Sequence, residues 1–222
     1  MEPSLLQFIV NFDRSLFQKI NGDWSNSVFD LILPGLTDLN KQKWLPIAAV
    51  AILLVWIFKQ RYRAAMWIVT LIVAVGVTDL VSYRVVKSVV QRDRPELTGI
   101  PVVLRTTHHS GTSFPSNHAA NAFAGASILS AAFPVGTPFF FLTAAMIAYS
   151  RVYVGVHFPV DVLAGIILGW SIAFMTKIFL GPWIIKAELS EENRFERGYN
   201  SEAKARRKKL LRRDGKSELE KK

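Results

Sequence analysis

Residues 119–149 carry no charged side chain. In water such a stretch would have to be buried completely. Beside the other long apolar runs of this chain, it reads instead as membrane-embedded. A bilayer core takes about 20 residues of helix, so 119–149 is too long for one span and suits two. "FPVGTP" at 133–138 supplies turn residues at the midpoint. The segment therefore predicts a helical hairpin.

Three further apolar runs flank this hairpin. "WLPIAAVAILLVWIF" (44–58) lies between Lys43 and Lys59. Residues 64–86 contain Asp79 in the middle and Arg84 near the end, and 160–185 contain Lys177, which can snorkel toward an interface. Together they predict an all-α polytopic transmembrane bundle of about five spans. In residues 4–20, Leu5, Ile9, Phe12, Leu16 and Ile20 recur at helical spacing, with Asp13, Arg14 and Lys19 elsewhere. That pattern predicts an amphipathic helix on the membrane surface. Residues 27–39 predict a second short apolar piece, broken at Pro34–Gly35. Three regions result: interfacial helices in 1–42, a transmembrane core in 43–185 and a basic tail in 186–222.

Charge adds a direction. Formal net charge is +10, but the cations are not spread like a nucleic-acid-binding face. They crowd "KQRYR" (59–63) and "KARRKKLLRR" (204–213). Span counting puts both on one side, which the excess of Lys and Arg marks as cytoplasmic. The polar stretches "KSVVQRDRP", "SFPSNH" and "SRVYVGVHFPVD" all emerge on the opposite side. The first twenty residues lack the basic start of a signal peptide. The chain has no cysteine, which excludes disulfides, thiolate metal sites and a cysteine nucleophile.

Three polar clusters on one face invite a chemical reading. The first offers Lys87, Arg92 and Arg94. Lys87 and Arg94 would share a helix face two turns apart, with Pro95 ending the helix; two such cations suit an oxyanion. Taken alone, this cluster is read first as a plain juxtamembrane basic flank. In the second, Ser116 or Asn117 can cap the next helix, whose N-terminus is a ready anion site within reach of His118. Ala119, Ala120, Ala122, Ala124 and Gly125 permit close helix packing. The alternative is a capped helix with an interfacial histidine. In the third, His157 and Asp161 stack on a helix beginning near Phe158, so that Asp161 can take the Nδ1 proton and leave Nε2 free. Arg151 adds a third cation. A His–Asp pair that only satisfies itself is the competing explanation. Asp79 can pair with one of the cations, and His108 and His109 lie in the loop 96–114 as rim residues.

Taken together, these parts suit phosphoryl transfer, which needs positioning and charge neutralisation. A non-enzymatic anion or lipid-phosphate binding protein, or a transporter, would use the same cations without an Asp-backed histidine.

The sequence resembles the type 2 phosphatidic acid phosphatase superfamily of integral-membrane lipid phosphate phosphatases. The family's Lys, six residues, Arg-Pro matches Lys87 to Pro95, and its Pro-Ser-Gly-His matches "PSNH" at 115–118. Its Ser-Arg, five residues, His, three residues, Asp matches Ser150, Arg151, His157 and Asp161. Asn117 stands where the family has glycine; Asn tolerates unusual backbone angles and caps helices. The resemblance covers about Trp44 to Trp183. It implies that His157 is the nucleophile and forms a phosphohistidine, that Asp161 orients it, and that His118 protonates the leaving oxygen and then activates water. It implies that Lys87, Arg94, Ser116, Asn117 and Arg151 hold the phosphate. No metal or other cofactor is implied. The expected partners are a membrane lipid phosphate and the bilayer, with the site on the extracytoplasmic face of a plasma membrane.

Overall fold

The computed structural model describes residues 4–37, 44–107 and 111–219. His108 and His109, and the ends of the segments placed at 27–39 and 43–185, lie outside them. Among the described residues the fold is all helix, with no strand.

Helix α1 (Leu5–Gln18) starts at Ser4 in a capping box with Gln7. A π-helical turn follows (Lys19–Asp23), then α2 (Ser27–Thr37). α2 runs through Pro34 rather than breaking there. Proline's fixed φ is helix-compatible, and in so short a helix it forfeits little hydrogen bonding. The expected face of α1 also needs correction. Leu5, Ile9 and Phe12 are exposed, as suits a lipid surface, but Asp13 is buried with Phe17 and Ile20.

α3 (Trp44–Leu80) is divided by Arg61, whose φ of 32° and ψ of −105° break the helix inside "KQRYR". A π-helical turn (Val81–Val86) and one turn of α4 (Lys87–Val89) continue it. α5 (Asn117–Ala132) and α6 (Thr137–Tyr153) form the expected hairpin, joined by a 3-10 turn at Pro134–Gly136. α7 (Pro159–Leu219) is one continuous helix. Three stretches are long and apolar enough to cross a membrane: Val50–Val89, Pro134–Tyr153 and Pro159–Glu202. The first contains the Arg61 break, and α5, with 16 residues, is shorter than a full span.

Two ends of the bundle are distinct. At one, Trp56 and Trp67, on either side of the Arg61 break, pack with Ile128, Ala132 and Ile184. Trp56 meets Phe133 at 4.8 Å between ring centres, and Arg63 pairs with Glu188 at 3.4 Å. The far limb of α3, α5 and α7 thus meet there, and all three motif stretches lie at the other end. Between the ends, α5 and α7 are in backbone contact. A Cβ on Gly165 or Gly169 would collide with the backbone of Ser116 or Ala120. With little hydrophobic driving force between helices in lipid, such small-residue contact supplies the dispersion that holds them.

The N-terminal helices close over the site end. Buried Asn21 donates to the carbonyls of Val103 and Tyr153, both at 2.8 Å, and accepts from the Val103 N–H at 2.8 Å. Arg105 reaches Asp30 at 2.6 Å and stacks over Tyr153, whose hydroxyl also donates to Asp30 at 2.8 Å.

Candidate active site

The three polar clusters meet. A cavity of about 500 Å³ is lined by Tyr83, Lys87, Ser88, Arg94, Gly111, Thr112, Asn117, His118, Arg151 and His157. Backbone bonds stitch the clusters together. The Ser113 N–H donates to the Arg92 carbonyl at 2.8 Å, and the Ser116 N–H to the Asp161 carbonyl at 2.9 Å.

Lys87 and Arg94 do not converge along a helix, as their spacing predicts. α4 ends at Val89, Val90 is extended, and Arg94 is extended before the 3-10 turn Pro95–Leu97. Pro95 accounts for the extended Arg94, since proline disfavours the helical region for the residue before it. A shared acceptor brings the cations together instead. Lys87 donates to the Thr112 carbonyl at 2.8 Å; Arg94 reaches it at 3.4 Å and the Gly111 carbonyl at 3.0 Å. Arg94 also donates to the Val156 carbonyl at 2.9 Å, tying it to the turn that carries His157.

Arg151, 1% exposed, closes the last turn of α6 and donates to Thr37 Oγ1 at 2.5 Å. Its own carbonyl accepts from the Val156 and His157 N–H groups, both at 3.3 Å. The turn carrying His157 is further fixed by Gly155 (φ +89°), where a Cβ would meet Val102, Val103 and Asn21.

His157 is buried between α6 and α7. Its Nε2 faces the Arg94 guanidinium at 3.5 Å, and its Nδ1 lies 3.7 Å from Asp161 Oδ2. The second distance corrects the expectation of a closed hydrogen bond, since it exceeds hydrogen-bonding length. Asp161 Oδ2 instead accepts the Phe158 N–H at 2.8 Å, because α7 begins at Pro159 and Asp161 caps its first turn. Burial pushes the His157 imidazole down to about 3; Arg151 and Arg94 act the same way and Asp161 opposes them. The ring is therefore neutral at physiological pH. A guanidinium at Nε2 and a carboxylate beside Nδ1 favour the tautomer with its proton on Nδ1 and its lone pair on Nε2. That is the form a nucleophile needs.

Ser116 precedes α5 as expected, but its buried Oγ makes no capping bond and has no hydrogen-bond partner among the described residues. Asn117 opens the helix. Its Oδ1 accepts from Ser82 at 2.6 Å and its amide donates to Asp79 at 3.3 Å; Asn121 also donates to Asp79, at 3.2 Å. Asp79 thus holds the side-chain amides of Asn117 and Asn121, because it faces the start of α5. His118, half-buried, lies one residue into that helix on the cavity wall.

Thr37, Thr112 and Asp13 carry no predicted role in the site, and Arg92 none beyond its charge. Arg92 donates to Asp161 Oδ1 at 2.6 Å and to Asp13 at 2.5 Å. The only available signal was an aspartate in a helix of otherwise apolar periodicity.

Several known proteins are similar to this chain. An undecaprenyl-diphosphatase of Sulfolobus acidocaldarius is 31% identical over 168 residues, covering 75% of this chain and 78% of the relative. Phosphatidylglycerophosphatase B of Bacillus subtilis is 30% identical over 72% of this chain and 77% of its own. The crystal structure of Aquifex aeolicus LpxE superposes with a TM-score of 0.61 at 25% identity, covering 74% of this chain and 94% of that one. Residues 66–184, which carry every motif residue named above, match the PAP2 superfamily; the chain belongs to that superfamily.

Proposed function

We propose that this multi-pass membrane phosphatase hydrolyses the phosphomonoester or diphosphate of a membrane lipid through a phosphohistidine on His157, without a metal. The carrying observation is the buried His157, its Nε2 facing Arg94, on the wall of a cavity that also presents Lys87, Arg151 and His118. Substrates of the matching chemistry are undecaprenyl diphosphate, phosphatidylglycerol phosphate, phosphatidic acid and phosphorylated lipid A.

The Nε2 lone pair forms an N–P bond while the bond from phosphorus to the lipid oxygen breaks. His118 gives that oxygen its proton. Water then attacks phosphorus, returning a proton to His118, and the N–P bond breaks to release inorganic phosphate. Charge on the transferring group is neutralised by Lys87, Arg94 and Arg151, by the N–H groups opening α5 and by the Ser116 hydroxyl. Asp161 supports the positive charge that grows on His157.

The test is phosphate release by the purified protein across those four lipids, with EDTA and with vanadate. Release that survives EDTA and is blocked by vanadate is expected. No release from any lipid would reject the reading, and loss in EDTA restored by Mg²⁺ would reject its metal-free form.

The site end is further read as extracytoplasmic, because both basic clusters belong to the opposite end. Cysteines at Leu97 and Tyr199, both exposed, check this in a chain that has none. An impermeant thiol reagent on intact cells should label the first and spare the second.

A further inference from the structure

The buried carboxylate of helix α1 is the clearest feature that the proposed chemistry leaves unused. Asp13 is 1% exposed, although its helix turns an apolar row outward. Such a charge is retained only where it is paired. One oxygen accepts the Val160 N–H at 2.9 Å and the other takes Arg92. Arg92 bridges to Asp161 and lies over the Phe158 ring at 4.2 Å; Phe17 of α1 packs on the same ring at 5.3 Å. Apart from the Asp13–Arg92 pair itself, these contacts fall on residues 158–161, the turn joining His157 to its carboxylate.

We propose that Asp13 and Arg92 are positioning residues of the active site, through which helix α1 sets both the orientation and the effective charge of Asp161. The inference rests on the phosphohistidine reading above. Two arguments carry it. Arg92 on Oδ1 and the Phe158 N–H on Oδ2 fix the rotation of the carboxylate, leaving its Oδ2 edge toward His157 Nδ1. Charge gives the second. Arg92 alone would cancel Asp161, and the imidazolium character that grows as His157 attacks would then lack a counter-charge. Asp13 shares the guanidinium, so the group of two carboxylates and one cation keeps one net negative charge beside the ring. In a buried setting that charge acts at close range with little screening.

The experiment is a set of double-mutant cycles on the full chain in detergent. Asp13→Asn and Arg92→Gln are made alone and in the Asp161→Asn background, with kcat and KM measured on the lipid the wild type turns over and melting temperature followed alongside. Each single variant should lower kcat at least tenfold while KM moves less than threefold, and Asp13→Glu should recover most of the loss. With Asp161→Asn in place, either change should alter kcat less than twofold, because the group they act through is gone. A purely structural role predicts the same fold-loss in both backgrounds, and that result, or an Asp13→Asn enzyme within twofold of wild type, overturns the proposal. Should Arg92→Gln not fold, the near-isosteric Asp13→Asn cycle decides. A wild type that releases phosphate from no lipid would sink the phosphatase reading and this inference with it; an active wild type with undiminished losses in both backgrounds sinks only the inference.

Discussion

The two ends of the bundle are built on opposite rules. At the Trp56 end, Trp67, Ile128, Ala132, Ala173 and Ile184 bury apolar surface against one another. At the site end, Asp13, Arg94, Ser116, Arg151, His157 and Asp161 are all buried, and ion pairs or hydrogen bonds hold most of them. Packing in the first end is non-directional, so a lost methylene leaves a void the neighbours can partly fill. Charges in the second are each held by partners on other elements, so one deletion strands several groups. The contrast teaches that the apolar end contributes stability alone, whereas buried charges at the site end carry both stability and reactivity, and four substitutions or titrations can break or sharpen that claim.

His157→Ala should produce the largest effect. It removes the proposed nucleophile, and phosphate release should fall by at least about 10³-fold with the melting temperature little changed. Comparable turnover by a folded variant would end the nucleophile assignment. Arg151→Gln comes next. It removes a buried cation from the cavity and a Thr37 partner; a loss of roughly 10²–10³ in kcat/KM is expected, by the scale of electrostatic transition-state contacts. It should also destabilise, because Arg151 joins α6 to α2. A loss of stability without loss of rate would assign it to the fold alone.

Ile128→Ala probes the other end. Ile128 is 1% exposed. Truncation should destabilise by about 1–3 kcal/mol, below the range for water-soluble cores because lipid weakens the transfer contribution. kcat should stay within twofold of wild type in the folded fraction. A large fall in kcat would show that the two ends are coupled. The smallest effect is a null one. With its folded value pushed to about 3, His157 should show no imidazole titration between pH 5 and 8 by ¹⁵N NMR of a histidine-labelled sample, where only four histidines contribute. The unfolded ring binds a proton below about 6.5 and the folded ring does not, so this group favours unfolding increasingly as pH falls from 6.5 toward 3. An NMR midpoint near 6.5 would mean the ring is far more hydrated than its burial indicates.

Much of this was legible in the chain. The uncharged run 119–149, with "FPVGTP" inside it, dictated the α5–α6 hairpin, because a bilayer limits helix length and Pro and Gly turn the chain. "KQRYR" marked the break now seen at Arg61, since a charged stretch between apolar runs has no place at membrane depth. The residues of the candidate site were legible as residue types at fixed spacings. Their mode of convergence was not. Helical spacing suggested how Lys87 meets Arg94, but the helix ends at Val89 and the Thr112 carbonyl brings them together.

What the sequence by itself determined is the solvent of each segment and the kinds of chemistry available at one end, because hydropathy, charge and residue type are local properties. Only the tertiary structure decided which side chain completes which. Asp13 looked like the wet face of an interfacial helix, yet it is dry, because Phe17 and Phe158 pack beside it and Arg92 meets its charge. Asp161 looked like the exclusive partner of His157, yet it also holds Arg92 and the Phe158 N–H. The physical reason is that a buried charge is stable only with partners at hydrogen-bonding distance. Here those partners stand 69 and 147 residues away along the chain, for Arg92 to Asp161 and Asp13 to Val160, and no local pattern carries that information.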